Sequence, residues 1–309
     1  MKKICLSLLL YAVSICFVNA ECTLSVSISN VPQPETVPVA TIDYLNARLT
    51  QIASEDGIVA DPTMTNFVIT AKFHHILEET LPGPPIQTAL HTYLTFYIGE
   101  IDSETVYHST SIELRGIGTS AQRAFINALR TVNIRNSEIR SFFDNARRKI
   151  IDYYDANYKH LIEKAERAEN QHEYELGLWI LSRIPECCIG YNEASSLSLK
   201  LFQKHIDSQG SSLYTKAFAL WSANPNENGA TQAFQLLTMI DPESASYPKA
   251  ATLAQEIKSA IKSEHDFELR EKYNDSVDLE RRRIESAREI GTAYGKGQQP
   301  ITTNLNWIK

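Results

Sequence analysis

The stretch GLWILSRIPECCIGYNEASSLSLKLFQKH, Gly177 to His205, returns 56 residues later as AFQLLTMIDPESASYPKAATLAQEIKSAI, Ala233 to Ile261. At that shift Leu181, Ile184, Tyr191, Ala194 and Leu197 fall on Leu237, Ile240, Tyr247, Ala250 and Leu253. These are apolar or small positions spaced like the buried faces of paired helices, with Pro185 and Pro242 closing the first helix of each copy. A helix pair of this size cannot bury its own apolar face and relies on its neighbour, so repeats of this kind stack into scaffolds. The second copy predicts helices over Thr215 to Ala223, Ala230 to Ile240 and Ser244 to Ile261, and the first predicts them over Tyr174 to Ile184 and Tyr191 to Ile206. Upstream, Phe143, Ile150, Tyr154, Tyr158, Leu161 and Ala165 trace one stripe on a long helix leading into the repeats.

The pattern resembles a tetratricopeptide repeat. Ala230, Phe234 and Pro242 match that repeat's packing alanine, aromatic and terminal proline, while Phe218 stands where a small residue is usual and Tyr174 and Leu178 replace Ala230 and Phe234 in the first copy. The resemblance implies a helical-repeat domain over residues 136–262 that binds protein partners. Trp179, Trp221 and Trp307 are the candidate partner-binding residues, with burial in the core as the competing reading for the first two.

Ahead of the helices the periodicity is that of strands. Thr23 to Ser29 alternates, Pro38 opens a helix with Ile42, Leu45, Leu49 and Ile52 on one face, and Asp56-Gly57 ends it. Phe67, Ile69, Ala71, Phe73 and His75 share one face of the next strand. Leu90, Leu94, Phe96 and Ile98 share a face of another, and the turn at Asp102-Ser103-Glu104 leads into Val106 to Arg115 as a hairpin. Thr119-Ser120-Ala121-Gln122 then opens a helix through Ala124, Phe125, Ala128 and Leu129. The order strand, helix, strand, strand, strand, helix gives an α+β domain with an antiparallel sheet over residues 21–135.

The run Leu114-Arg115-Gly116-Ile117-Gly118-Thr119-Ser120 into Ala124-Phe125-Ile126-Asn127-Ala128, with Phe67-Val68-Ile69-Thr70 and Leu94-Thr95-Phe96-Tyr97-Ile98 on the strands, resembles the TolB amino-terminal and CsgG-like periplasmic domains. The resemblance covers about residues 22–133. It implies an envelope interaction module without catalytic residues. The two glycines before a helix amino terminus also define a small-ligand site near Gly118, weighed against glycines that merely ease a strand-to-helix turn. A dinucleotide fingerprint would need a third glycine and a parallel sheet. Neighbouring strand residues point to opposite faces, so His74 and His75 do not converge on a metal, and hairpin pairing keeps His91 away from His108.

Met1-Lys2-Lys3, the 15-residue apolar run Ile4 to Val18 and Val18-Asn19-Ala20 read as a signal peptide cleaved after Ala20. The run is shorter than the roughly 20 residues that span a bilayer. Glu21 before Cys22 and Ile15 before Cys16 are not a lipobox. The remaining 289 residues carry 28 basic and 37 acidic side chains, a balance that argues against nucleic-acid binding. Cys22, Cys187 and Cys188 remain; they read as buried thiols, or as a bridge from Cys22 to one of the adjacent pair.

The charged segment 263–295 carries a thin stripe through Tyr273, Val277, Ile284, Ala287, Ile290 and Tyr294, which either docks on the repeats or forms a coiled coil; residues 296–309 form a tail. No catalytic constellation, cofactor motif or metal-ligand spacing stands out. The sequence therefore leads us to expect a non-enzymatic, exported or periplasmic envelope protein acting as an interaction scaffold, with peripheral membrane association in reach. Its partners would be envelope proteins or peptides. The alternative is an oligomeric component of an outer-membrane assembly or secretion apparatus.

Overall fold

The computed structural model describes residues 24–57, 66–133, 135–261, 269 and 276–298. The signal-peptide segment, Cys22, Tyr273 and Trp307 lie outside the described residues.

Strand β1 (Ser27–Ile28) is followed by helix α1 (Val39–Glu55), strands β2 (Phe67–Leu81), β3 (Gln87–Glu100) and β4 (Thr105–Gly118), and helix α2 (Ala121–Leu129). The sheet order is β1-β2-β3-β4. The two hairpins are antiparallel, but β1 joins β2 in parallel, with α1 as the crossover, so the sheet is mixed where the sequence suggested antiparallel pairing throughout. Pro38 caps α1, Leu45, Leu49 and Ile52 bury its inner face, and Gly57 takes the left-handed conformation just past its end.

The inward faces follow the period of two, with Phe67, Ile69, Ala71 and Phe73 buried on β2 and Leu90, Leu94, Phe96 and Ile98 on β3. His75 departs from that face. A register shift between His74 and Leu77 and a positive φ of 51° at His75 turn its ring out to solvent, and Ile76 packs against the core instead.

Helix α3 (Ser137–Asn170) crosses the sheet, with Phe142, Phe143, Ala146, Ile150 and Tyr154 buried. Then come α4 (Tyr174–Ser182), α5 (Tyr191–Ala223), α6 (Glu227–Leu237), α7 (Tyr247–Ala260) and α8 (Ser276–Gln298). The chain is thus α+β. The apolar core under the sheet continues unbroken through α3, α4 and the first half of α5 to Ala287 of α8. A second, smaller core is built from Ala217, Ala230, Ala233, Phe234, Leu237, Ile240 and residues of α7.

Two helix expectations need correction. Residues 191–206 and 215–223 are not separate helices but parts of the single 33-residue α5. The polar run Asp207 to Ser212 stays helical because Gly210, lacking a Cβ, lets α5 lie directly on Ser244 and Ile240. Helix α8 also runs on through Gly295-Lys296-Gly297. Gly291 and Gly295 abut Leu178 and Trp179, so α8 docks backbone-to-helix on its own α4.

The sequence echo is an echo of geometry. Tyr191 and Tyr247 each begin the second helix of their unit. Ile184 N–H donates to Leu181 O (3.1 Å) as Ile240 N–H does to Leu237 O (3.2 Å), and Tyr191 N–H to Cys188 O (3.0 Å) as Tyr247 N–H to Ser244 O (2.9 Å). In both turns a carboxylate from the preceding long helix caps the same backbone amide. Asp155 accepts from Ile189 N–H at 2.8 Å, and Asp207 accepts from Ala245 N–H at 2.7 Å.

A candidate binding cleft where sheet, first turn and strap helix meet

A cleft of about 280 Å³ opens between the segment just ahead of β1, the first helix–turn–helix unit and α8. Leu24, Asn66 and Phe67 form its floor, Trp179, Arg183, Tyr191, Ser195 and Ser198 one wall, and Ile284, Arg288 and Thr292 the other. The residues arrive there for separable reasons. The stop after α4 brings Arg183 to the sheet, the repeat turn sets Tyr191 at the head of α5, and the glycine seam of α8 brings Arg288 across the opening.

Behind the cleft lies a buried ion pair. Glu100, at the end of β3, is fully buried. Its Oε1 accepts from Arg183 Nη2 (2.7 Å), Arg183 Nε (2.9 Å) and Tyr154 OH (2.7 Å). Its Oε2 accepts from Ser103 Oγ (2.7 Å) and Tyr107 OH (2.9 Å). A buried charge is tolerable only when paired and hydrogen-bonded on all sides, and this one is. Burial, reinforced by the neighbouring carboxylate, pushes the Tyr107 and Tyr154 phenols up and keeps them as donors. Burial works against the charge on Arg183, but Glu100 outweighs it and holds the guanidinium protonated more firmly than usual. The network ties the sheet, α3 and α4 together at one point. The sequence carries no periodic signal for it, because Glu100 and Arg183 lie 83 positions apart.

Of the aromatic candidates, Trp179 lines the cleft, half-buried, with Arg183 above its ring at 5.5 Å, Tyr294 at 6.3 Å and its indole nitrogen against Gly295. Trp221 is partly buried on the second core, away from the cleft. Trp307 lies outside the described residues. Gly118 does not line the cleft. A Cβ there would lie 2.5 Å from Ala124 N and one at Gly116 2.8 Å from Ala128 N, so both glycines serve the contact between β4 and α2. The amide at the start of α2 is taken by Ser120, whose side chain accepts from Arg123 N–H. The cleft carries no motif in the sequence; its one pointer is the basic run Arg281-Arg282-Arg283, whose acidic neighbours Asp278, Glu280, Glu285 and Glu289 suggest a solvated face. Arg283 instead turns in to Glu243 at 2.6 Å, one turn along from Arg288, which approaches Glu186 at 3.8 Å.

Cys187 is disulfide-bonded, and its neighbour Cys188 is a free, buried thiol. The reading of two buried thiols therefore holds for Cys188 alone. Burial, with Asp155 beside it, pushes the Cys188 thiol up to about 12. Among the described residues no helix is long and apolar enough to cross a membrane, and no group of three or more His, Cys, Asp or Glu could hold a metal ion.

No family model matches the chain, and no curated protein matches it. Among solved structures, a minor lipoprotein from Acinetobacter baumannii is similar at 16% identity over 41% of this chain and 86% of that one, with a TM-score of 0.21. A likeness of that size carries no argument about fold or function.

Proposed function

We propose that this chain is an exported, non-enzymatic interaction scaffold of the cell envelope, in which tetratricopeptide-like units rigidly joined to the α+β part hold a segment of a partner protein in the cleft beside Trp179. The observation that carries the reading is the repeated turn: two helix–turn–helix units with matching backbone bonds and matching Asp155 and Asp207 caps are the building plan of a stacking scaffold. The cleft offers an aromatic wall and Arg288 on an exposed rim, while Arg183 is committed to Glu100 and Ser182 Oγ to the Trp179 carbonyl. The disulfide at Cys187 supports export, since such bonds persist in oxidising compartments. The acidic balance of the chain favours protein partners over nucleic acid.

The test is a photo-crosslinking amino acid placed at Ser195 in the cleft or at exposed Lys216, in the full chain expressed in its native cell envelope. The reading expects a discrete adduct from position 195 that Arg288→Glu abolishes, and none from position 216. Equal labelling from both positions, or an adduct indifferent to Arg288→Glu, overturns it.

A further inference from the structure

The two edges of the sheet are finished differently. Outside β2, β1 pairs over two residues, Ser29 N–H donates to Ile69 O (3.1 Å), and the Gln33 side chain continues the ladder. Its Nε2 donates to Ala71 O (2.7 Å) and its Oε1 accepts from Phe73 N–H (3.1 Å). That edge is closed by a strand and a strand mimic.

Beyond β4, among the described residues, the bond to the outer side is Asn127 Nδ2 to Ile117 O at 2.8 Å. The ladder of β4 with β3 is regular from Gly118 to His108. Because main-chain groups alternate sides with a period of two, the amides and carbonyls of Ser109, Ser111, Glu113 and Arg115 face outward with that of Ile117. This stretch has no proline and no bulge to blunt it.

We infer that β4 pairs with β4 of a second copy of this chain, antiparallel about a two-fold axis at Leu114, to give one continuous eight-stranded sheet. The choice of occupant rests on charge. Glu113 and Arg115 lie on the same open face, 2.6 Å apart, and Arg115 is 76% exposed. With the axis at Leu114, Glu113 of each copy stands directly opposite Arg115 of the other, so four charges alternate in sign across the seam. Neighbouring registers do not do this. An axis at Glu113 sets carboxylate against carboxylate, and one at Arg115 sets guanidinium against guanidinium, which fixes the register by repulsion as well as attraction. Main-chain bonds supply the affinity, as in strand addition generally. Asn127 marks the outer limit of the seam at Ile117.

The experiment is sedimentation velocity on the mature chain, disulfide intact, over a micromolar concentration series. The pairing expects a mass that doubles with concentration. Glu113→Arg and Arg115→Glu should each weaken dimerisation at least tenfold, because each sets like charges opposite each other. The double swap Glu113→Arg with Arg115→Glu should restore it. Both side chains are solvent-facing, and a melting curve for each variant confirms that the fold is intact. A monomer throughout the series overturns the inference, as does a dimer indifferent to the single reversals or a double swap that fails to recover. A crosslink from Ser195 to a different protein, unchanged by these variants, leaves the cleft reading standing by itself.

Discussion

The two helical units share a turn but not an anchorage. The first, α4 with the start of α5, is fixed to the sheet by Arg183 on Glu100 and is clasped from outside by the glycine seam of α8. The second, α6 and α7, rests on the far half of α5 through a core of five alanines, Phe234 and a few aliphatic residues, with Arg283 on Glu243 as its tie to α8. Equal backbone geometry thus coexists with unequal support, because the turn is set locally whereas stability depends on what the unit's apolar face is packed against.

The comparison breaks most sharply at Arg183. Arg183→Ala leaves Glu100 buried without its cation and is expected to cost about 3–5 kcal/mol, read as a lower denaturation midpoint of the whole mature chain. Replacing the pair together, Glu100→Gln with Arg183→Met, should recover much of that loss. Phe234→Ala removes the largest buried side chain of the second core at a cost of about 3–5 kcal/mol. Here hydrogen exchange should speed up in α6 and α7 while α3 and α4 stay protected; equal loss of protection in both would show the two units to be one cooperative block. The smallest effect is expected at the turn caps. Asp155→Ala and Asp207→Ala each remove one carboxylate bond to a backbone amide, at about 1–2 kcal/mol. The first should lower the main melting transition, and the second should act only on exchange in the distal unit.

Much of the fold was legible in the sequence because it rests on local period. The order of elements through Leu129, the buried faces of β2 and β3, and the doubled turn all follow from spacing and from proline and glycine punctuation. What escaped reading depends on distant contacts. The run Asp207 to Ser212 looks like a linker, and only Ser244, far along the chain, explains why it stays helical. The matched caps were hidden because Asp155 and Asp207 are 52 residues apart while the turns repeat at 56, an offset of about one helical turn on the preceding helix. His75 left its expected face through a bulge that strand alternation does not announce. The cleft was illegible because its walls come from the segment ahead of β1, the first turn and α8. Trp179 could be singled out, but not the residues that surround it.

The unbroken α5 has a mechanical consequence. In a chain of separately hinged helix pairs, each joint can bend and the distance between successive turns drifts. Here one rod of 33 residues, about 50 Å long, belongs to both units. The turn at Ile189 and the turn at Ala245 are therefore held at a fixed spacing, and α8 spans both through Arg288 and Arg283 as a brace. A load applied at α7 reaches α4 through that rod without passing a loop, so the two turns are spaced as by a ruler and not as in a flexible chain of beads.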